Sequence, residues 1–195
     1  MKMKSLWMLL LSCGVVVGMW VAPRAAAQSS SSGPELTPAM QSLQAAMSAL
    51  PTTHWVTSYH DSADNTNWSY AFDYTVSHVV ADPKDCSVVY HYVIQRDGTA
   101  SSDKDGTMPL HDVVELEVTT GAERTTKNNV AAGHTTWSVS MTPVIYDLVI
   151  RGPQQPTKLE WYFLFTDKVS ADNMAKTLSR AVALCGGSAT VTGDE

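Results

Sequence analysis

The chain has 195 residues, a formal charge of −6 at neutral pH and three cysteines. Its 19 Asp and Glu outnumber 13 Lys and Arg, which argues against nucleic acid or an anionic lipid surface as a partner, because phosphate binding needs clustered cations. The length suffices for one domain with a sizeable core.

The N-terminus has the three parts of an export signal. Lys2 and Lys4 give the positive start, residues 6–21 are almost wholly apolar, and Ala25-Ala26-Ala27 offers small residues for cleavage. The cut is placed between Ala27 and Gln28, which makes the product an exported, periplasmic or extracellular protein. Cleavage removes Lys2, Lys4 and Arg24 and no acid, so the formal charge falls from −6 to −9. Two alternatives stay open. The apolar run is within the lower limit of a membrane span, so an uncleaved segment would tether the protein to a membrane. Leu10-Leu11-Ser12-Cys13 also reads as a lipid-attachment box, although the apolar run continues past it through Val15-Val16-Val17. Beyond residue 27 only Cys86 and Cys185 remain. Two cysteines in an exported chain are expected to pair; two buried free thiols are the alternative.

Residues 28–36, rich in Ser, read as a flexible linker. A helix is expected over 37–51, with Thr37 as cap, Pro38 in the first turn, and Met40, Leu43, Met47 and Leu50 on one face. From Thr52 the period changes to 2, opening a body that runs to residue 187. The clearest strand is 68–80, with Trp68, Tyr70, Phe72, Tyr74, Val76, His78 and Val80 on one face. Asp82-Pro83-Lys84-Asp85 is a turn, and 86–95 returns with Cys86, Val88, Tyr90, Tyr92 and Ile94 on one face. A four-residue loop would set these two faces against each other, so a longer loop or a bulge is expected.

Residues 96–107 read as an exposed loop, 111–118 as a strand with Val114, Leu116 and Val118 inward, and 119–134 as polar and irregular. Strands follow at 137–141 and 144–151, split by Thr142-Pro143. After a turn at 152–156, Leu159, Trp161, Phe163 and Phe165 mark the last strand. The closing helix is capped by Ser170 and carries Ala171, Met174, Ala175, Leu178, Ala181, Val182 and Cys185 as one stripe, with Gly186 ending it. Residues 188–195 are expected to be a disordered tail.

Three stretches carry a family resemblance. Cys86-Ser87-Val88-Val89-Tyr90 resembles a second strand, Met108-Pro109-Leu110-His111-Asp112-Val113-Val114 through Val118 a third, and Trp161-Tyr162-Phe163-Leu164-Phe165 with Ala171 and Met174-Ala175 a closing strand and helix entry of the pleckstrin-homology-like (PH/GRAM-like) superfold. The resemblance spans roughly residues 68–186 and consists of hydrophobic patterns. It implies a mainly β fold with α, an antiparallel six- to seven-stranded barrel closed by the C-terminal helix. A lipocalin-like barrel is the alternative. The single cation of Asp82-Pro83-Lys84-Asp85 departs from the basic first loop of phosphoinositide-binding members, so that lipid is not expected. The family's other mode is peptide binding between a sheet edge and the last helix, here lined by residues of 137–151 and the helix.

Chemistry-bearing residues are sparse. His60-Asp61 with Asp64 fits no defensible metal spacing. His78 and His91 fall on adjacent strands and can meet across the ladder. His111-Asp112 opens a strand. Glu115 and Glu117 share a face, which is expected to point to water because Val114, Leu116 and Val118 turn inward. No nucleophile elbow, phosphate loop or His-Glu-x-x-His is present, so no catalytic residue, metal ligand or cofactor is assigned. Trp55, Trp68, Tyr70, Tyr74, Trp137 and Trp161 could line a cavity, with Trp55 and Trp68 the best placed outside the core. The expected function is a non-catalytic module binding a protein or peptide, with a carrier of a small apolar ligand or an unrecognised hydrolase as alternatives.

Overall fold

The computed structural model describes residues 33–153 and 159–193; the Ala27–Gln28 cut and most of the expected linker lie outside them. The element order is α1 (Leu36–Ser48), β1 (Thr53–Asp61), β2 (Thr66–Asp82), β3 (Ser87–Arg96), β4 (Thr99–Pro109), a 3-10 turn (Leu110–Asp112), β5 (Glu115–Thr120), α2 (Gly121–Ala131), β6 (Trp137–Thr142), β7 (Tyr146–Arg151), β8 (Glu160–Phe165), α3 (Lys168–Leu184) and β9 (Thr190–Gly193). The fold is mainly β with α. Its strands form two sheets, a five-stranded one in the order β4-β3-β2-β1-β6 and a four-stranded one in the order β8-β7-β5-β9. The expected barrel does not close, because the ladder ends at β8 on one sheet and at β4 on the other.

Side chains bridge that gap. Tyr74 Oη donates to the Tyr162 carbonyl at 3.1 Å, Thr53 Oγ1 to the Leu164 carbonyl at 3.3 Å, and Trp161 Nε1 to the Thr107 carbonyl at 3.0 Å. Two carbonyls of the β8 edge, those of Tyr162 and Leu164, are thus satisfied by the first sheet, which also hinders the edge from pairing elsewhere.

The 68–80 alternation is real up to Val76 and then slips. Ser77 pairs with His91 but Val80 with Val89, and His78 has a φ of 51°. This bulge sets two residues against one. It moves the buried position from Val76 to Val79 and leaves Val80 exposed. The expected conflict of faces is resolved by the bulge, inside the strand rather than in the turn.

Several expectations are corrected. Of residues 96–107, read as loop, 99–107 belong to β4, which runs on to Pro109. Its hairpin turn is Asp97-Gly98, with φ of 50° and 76°, the pair of positive angles that a two-residue hairpin turn requires. Residues 121–131, read as irregular, are α2, capped by Thr120, whose hydroxyl accepts from the Glu123 N–H. Val114 is 44% exposed rather than inward, because β5 begins one residue later. Within the expected tail, Thr190–Gly193 adds β9 parallel to β5. α1 begins at Leu36 with Glu35 at its cap position, not Thr37, and α3 is capped by Asp167, not Ser170.

One core joins the elements. Met40, Leu43 and Met47 of α1, Tyr74, Val88 and Tyr90 of the first sheet, Leu116, Leu148 and Phe163 of the second, and the α3 stripe of Ala171, Met174, Ala175, Leu178 and Val182 are all buried in a single cluster. Cys86 and Cys185 are bonded, with Cα atoms 5.6 Å apart. Gly186, at a φ of 80°, ends α3; its N–H reaches the Ala183 carbonyl and that of Gly187 the Val182 carbonyl, a full Schellman motif.

Candidate functional site

α1 and α3 lie against each other, and their facing ends leave a cavity of about 280 Å³ over the end of β8. Ala46, Ala49, Leu50, Leu164, Phe165 and Met174 give it an apolar lining. α1 stops at Ser48 because Pro51 follows, so the chain turns away and leaves the groove open. On the other wall, Ser170, Asn173 and Thr177 present polar groups at helical spacing along α3. Asp167 closes the end by accepting the Ser170 N–H at 2.8 Å. That hydrogen bond to the charged form lowers the Asp167 pKa below its ordinary value. The groove beside the last helix was expected to use residues of 137–151; instead it uses α1, β8 and α3.

A second feature covers the first sheet. Register places Trp55, Tyr59, Trp68, Tyr70, Phe72 and Trp137 on the face that carries Tyr74 inward. Consecutive rings touch: Trp55 stacks on Phe72 at 5.2 Å, Tyr59 on Trp68 at 5.4 Å, and His134 on Trp137 at 3.8 Å. Tyr70 meets both Phe72 and Tyr59 edge-on, and Trp68 meets Trp137 edge-on. The Arg96 guanidinium lies 4.9 Å from the Tyr70 ring centre. Tyr59, Trp68, Tyr70, Phe72 and Trp137 are half-buried and lie outside the core cluster, while Trp55 packs on its margin.

Between the sheets, Tyr74, Tyr90, Tyr92, Trp161 and Tyr162 line a cavity of about 260 Å³. Burial raises the Tyr74, Tyr90 and Tyr162 phenol pKa values, so all three stay neutral. Asp105, Thr107 and Glu160 add polar residues to its lining.

The sequence-predicted residues fall as follows. His78 and His91 do meet across the ladder, ring centres 5.9 Å apart. His91 also lies between two aspartates, Nδ1 at 3.0 Å from Asp105 and Nε2 at 3.3 Å from Asp103. His60 bonds Asn67, Asp61 accepts from Trp137 Nε1, and Asp64 accepts from Thr66, so the three do not converge. His111 pairs with its neighbour Asp112 at 3.4 Å. Among the described residues no group of His, Cys, Asp and Glu is arranged to hold a metal. Glu115 and Glu117 do not simply face water. They flank Arg151, which also reaches Glu160, and Lys127 of α2 reaches Glu117. Burial by itself would lower the Arg151 pKa, but the hydrogen bonds and charges of Glu117 and Glu115 outweigh that effect and raise it.

Asp147 has no sequence signal beyond an acid inside a buried strand, and among the described residues it is a buried acid. It is 1% exposed and paired with Arg124, whose guanidinium also covers the Tyr162 ring at 4.7 Å. Its Oδ1 has no hydrogen-bond partner. Burial raises its pKa, and the neighbouring Arg124 only partly offsets this. Comparison with family models, curated proteins and solved structures finds no match to this chain. Among the described residues no helix is long and apolar enough to cross a membrane.

Proposed function

We propose that this is an exported, non-catalytic module that binds an apolar segment of a protein or peptide in the groove between α1 and α3. The observation that supports this is the groove itself, an apolar floor beside the last helix with Ser170, Asn173 and Thr177 in one row along its wall. At about 280 Å³ it lies below the roughly 300–1,000 Å³ of sites that enclose a small ligand. It suits one or two anchoring side chains, while the polar row offers partners to an adjacent peptide backbone. Hydroxyls, the Asn173 amide and the Asp167 carboxylate are the polar groups of its lining. The carrier reading attaches to the tyrosine cavity, whose polar lining residues suit an apolar ligand less well.

The two sheets followed by a closing helix support a pleckstrin-homology-like relationship, with β9 and the unclosed ladder as departures. The Cys86–Cys185 bond is compatible with an oxidising, exported location, and the periplasm or the extracellular space is the reading we favour.

The test is selection of linear peptides from a random phage-displayed library on the purified protein, with affinities measured on synthetic copies. Enriched peptides should bind at least tenfold more weakly to Ala46→Trp, which fills the groove, and to Asn173→Arg at its exposed rim. Failure to enrich any peptide, or affinities untouched by both substitutions, would reject the groove as the site.

A further inference from the structure

The seam between α1 and α3 continues past the cavity already described. A second cavity of about 170 Å³ lies along the same helix pair, lined by Pro38, Ala39 and Ser42 of α1 and by Thr177 and Arg180 of α3. Thr177 lines both cavities. The helices run antiparallel, since Ala46 and Leu50 share the first cavity with Ser170 and Asn173, whereas Pro38 and Ala39 share the second with Arg180. The inference that follows rests on the reading of this groove as a peptide site. We propose that the bound segment is extended, with a large apolar side chain in the first cavity and, about three residues away, a carboxylate on Arg180.

Spacing, hydrogen bonding and charge select this occupant. Along the two helices the lining residues of the cavities are offset by roughly 8–12 Å, at about 1.5 Å per residue. An extended chain covers that distance in about three residues. The hydroxyls of Ser42 and Thr177 each donate to their own helix, to the Pro38 and Asn173 carbonyls at 2.9 Å. What they offer a ligand is therefore acceptor lone pairs. An extended backbone has N–H groups to give them, whereas a helix uses its own beyond the first turn. The two ends of the groove differ in sign. Asp167 is the charged residue of the first lining and Arg180 that of the second. An acid is repelled at the Asp167 end and attracted at the Arg180 end, which fixes the direction in which the segment lies. A carboxylate of this chain already stands at that place. Glu35, at the head of α1, reaches Arg180 at 3.4 Å, with the two side chains 68% and 67% exposed. A pair so open to water is weak, so a ligand's carboxylate displaces Glu35, and Glu35 acts as a built-in competitor.

The experiment takes the peptides enriched by phage display, resynthesises each with its acids changed to Gln or Lys, and titrates them against the full chain by fluorescence anisotropy. Enriched sequences should carry Asp or Glu about three positions from the apolar anchor. Changing that acid to Gln should weaken binding at least fivefold. Arg180→Glu should abolish this difference and favour the Lys peptide. Glu35→Gln should tighten the acidic peptides about threefold and leave the Gln peptides unchanged, because it removes the competitor. Both substitutions are at exposed positions, so the fold is kept. Peptides that Ala46→Trp blocks, yet that bind equally with Glu, Gln or Lys, would overturn this inference and leave the groove as the peptide site. Acid-dependent binding that neither Arg180→Glu nor Glu35→Gln alters would overturn it too. Enrichment of no peptide would overturn it together with the reading on which it rests.

Discussion

At the scale of single residues, the most demanding position is Asp147. A carboxylate buried in a sheet is tolerated only while a cation faces it, and Arg124 is that cation. Arg124→Ala should destabilise the fold by about 3–5 kcal/mol in urea unfolding at pH 7. The double replacement Arg124→Met with Asp147→Leu should cost far less, because it removes both charges together. The pH dependence has a definite sign. The folded-state pKa of Asp147 lies above its ordinary 3.8, so the folded state holds this proton more tightly. Between that value and the raised one, stability falls as pH rises. The wild-type urea midpoint, compared with that of Asp147→Asn, should therefore drop across this window. A difference that stays flat with pH would show that Asp147 is ionised throughout. Asp147 could not be ranked from sequence, because the strand 144–151 reads the same whether the acid faces water or α2.

At the scale of elements, α2 shows what pattern reading misses. Its residues Arg124, Thr125, Thr126, Lys127, Asn128 and Asn129 form no apolar stripe, so periodicity cannot find it. It is held instead by polar contacts to β5 and β7, through Arg124 to Asp147 and Lys127 to Glu117. The signal was present in another form, the Thr-x-x-Glu spacing of Thr120 and Glu123 that marks a helix start. Thr120→Ala should destabilise the protein by about 1 kcal/mol, measured by urea unfolding, with amide exchange at Glu123 accelerated before the rest of the helix. The same applies to β4. It is an edge strand rich in Ser and Asp, so it lacks a buried face, yet Asp97-Gly98 is a strong hairpin signal. The elements that were legible, α1, β2, β3, β6, β7, β8 and α3, carry apolar residues that lie in the core or pack against it. The groove was legible only as a place beside the last helix. Its other wall depends on how α1 docks, which no local pattern encodes.

At the scale of the whole molecule, two sheets share one core but no backbone ladder. The three side-chain bridges stand where a barrel would have backbone hydrogen bonds, and the disulfide ties the end of α3 to the β2–β3 turn. Cys86 and Cys185 are 99 residues apart, and closing so long a loop restricts the unfolded chain by about 4–5 kcal/mol. Cys86→Ser with Cys185→Ser should lower the unfolding free energy by up to that amount in urea titration. Both sheets should persist, as judged by far-ultraviolet circular dichroism, because the rest of the buried core joins both sheets without the two cysteines.

The position of that bond also sets an order of events. Ribosomes deliver Cys86 after β2 and Cys185 only after α3. The Cys86 thiol therefore waits for its partner until every strand up to β8 has been made. An oxidant that acts within that interval would meet it alone and trap the chain with a foreign thiol.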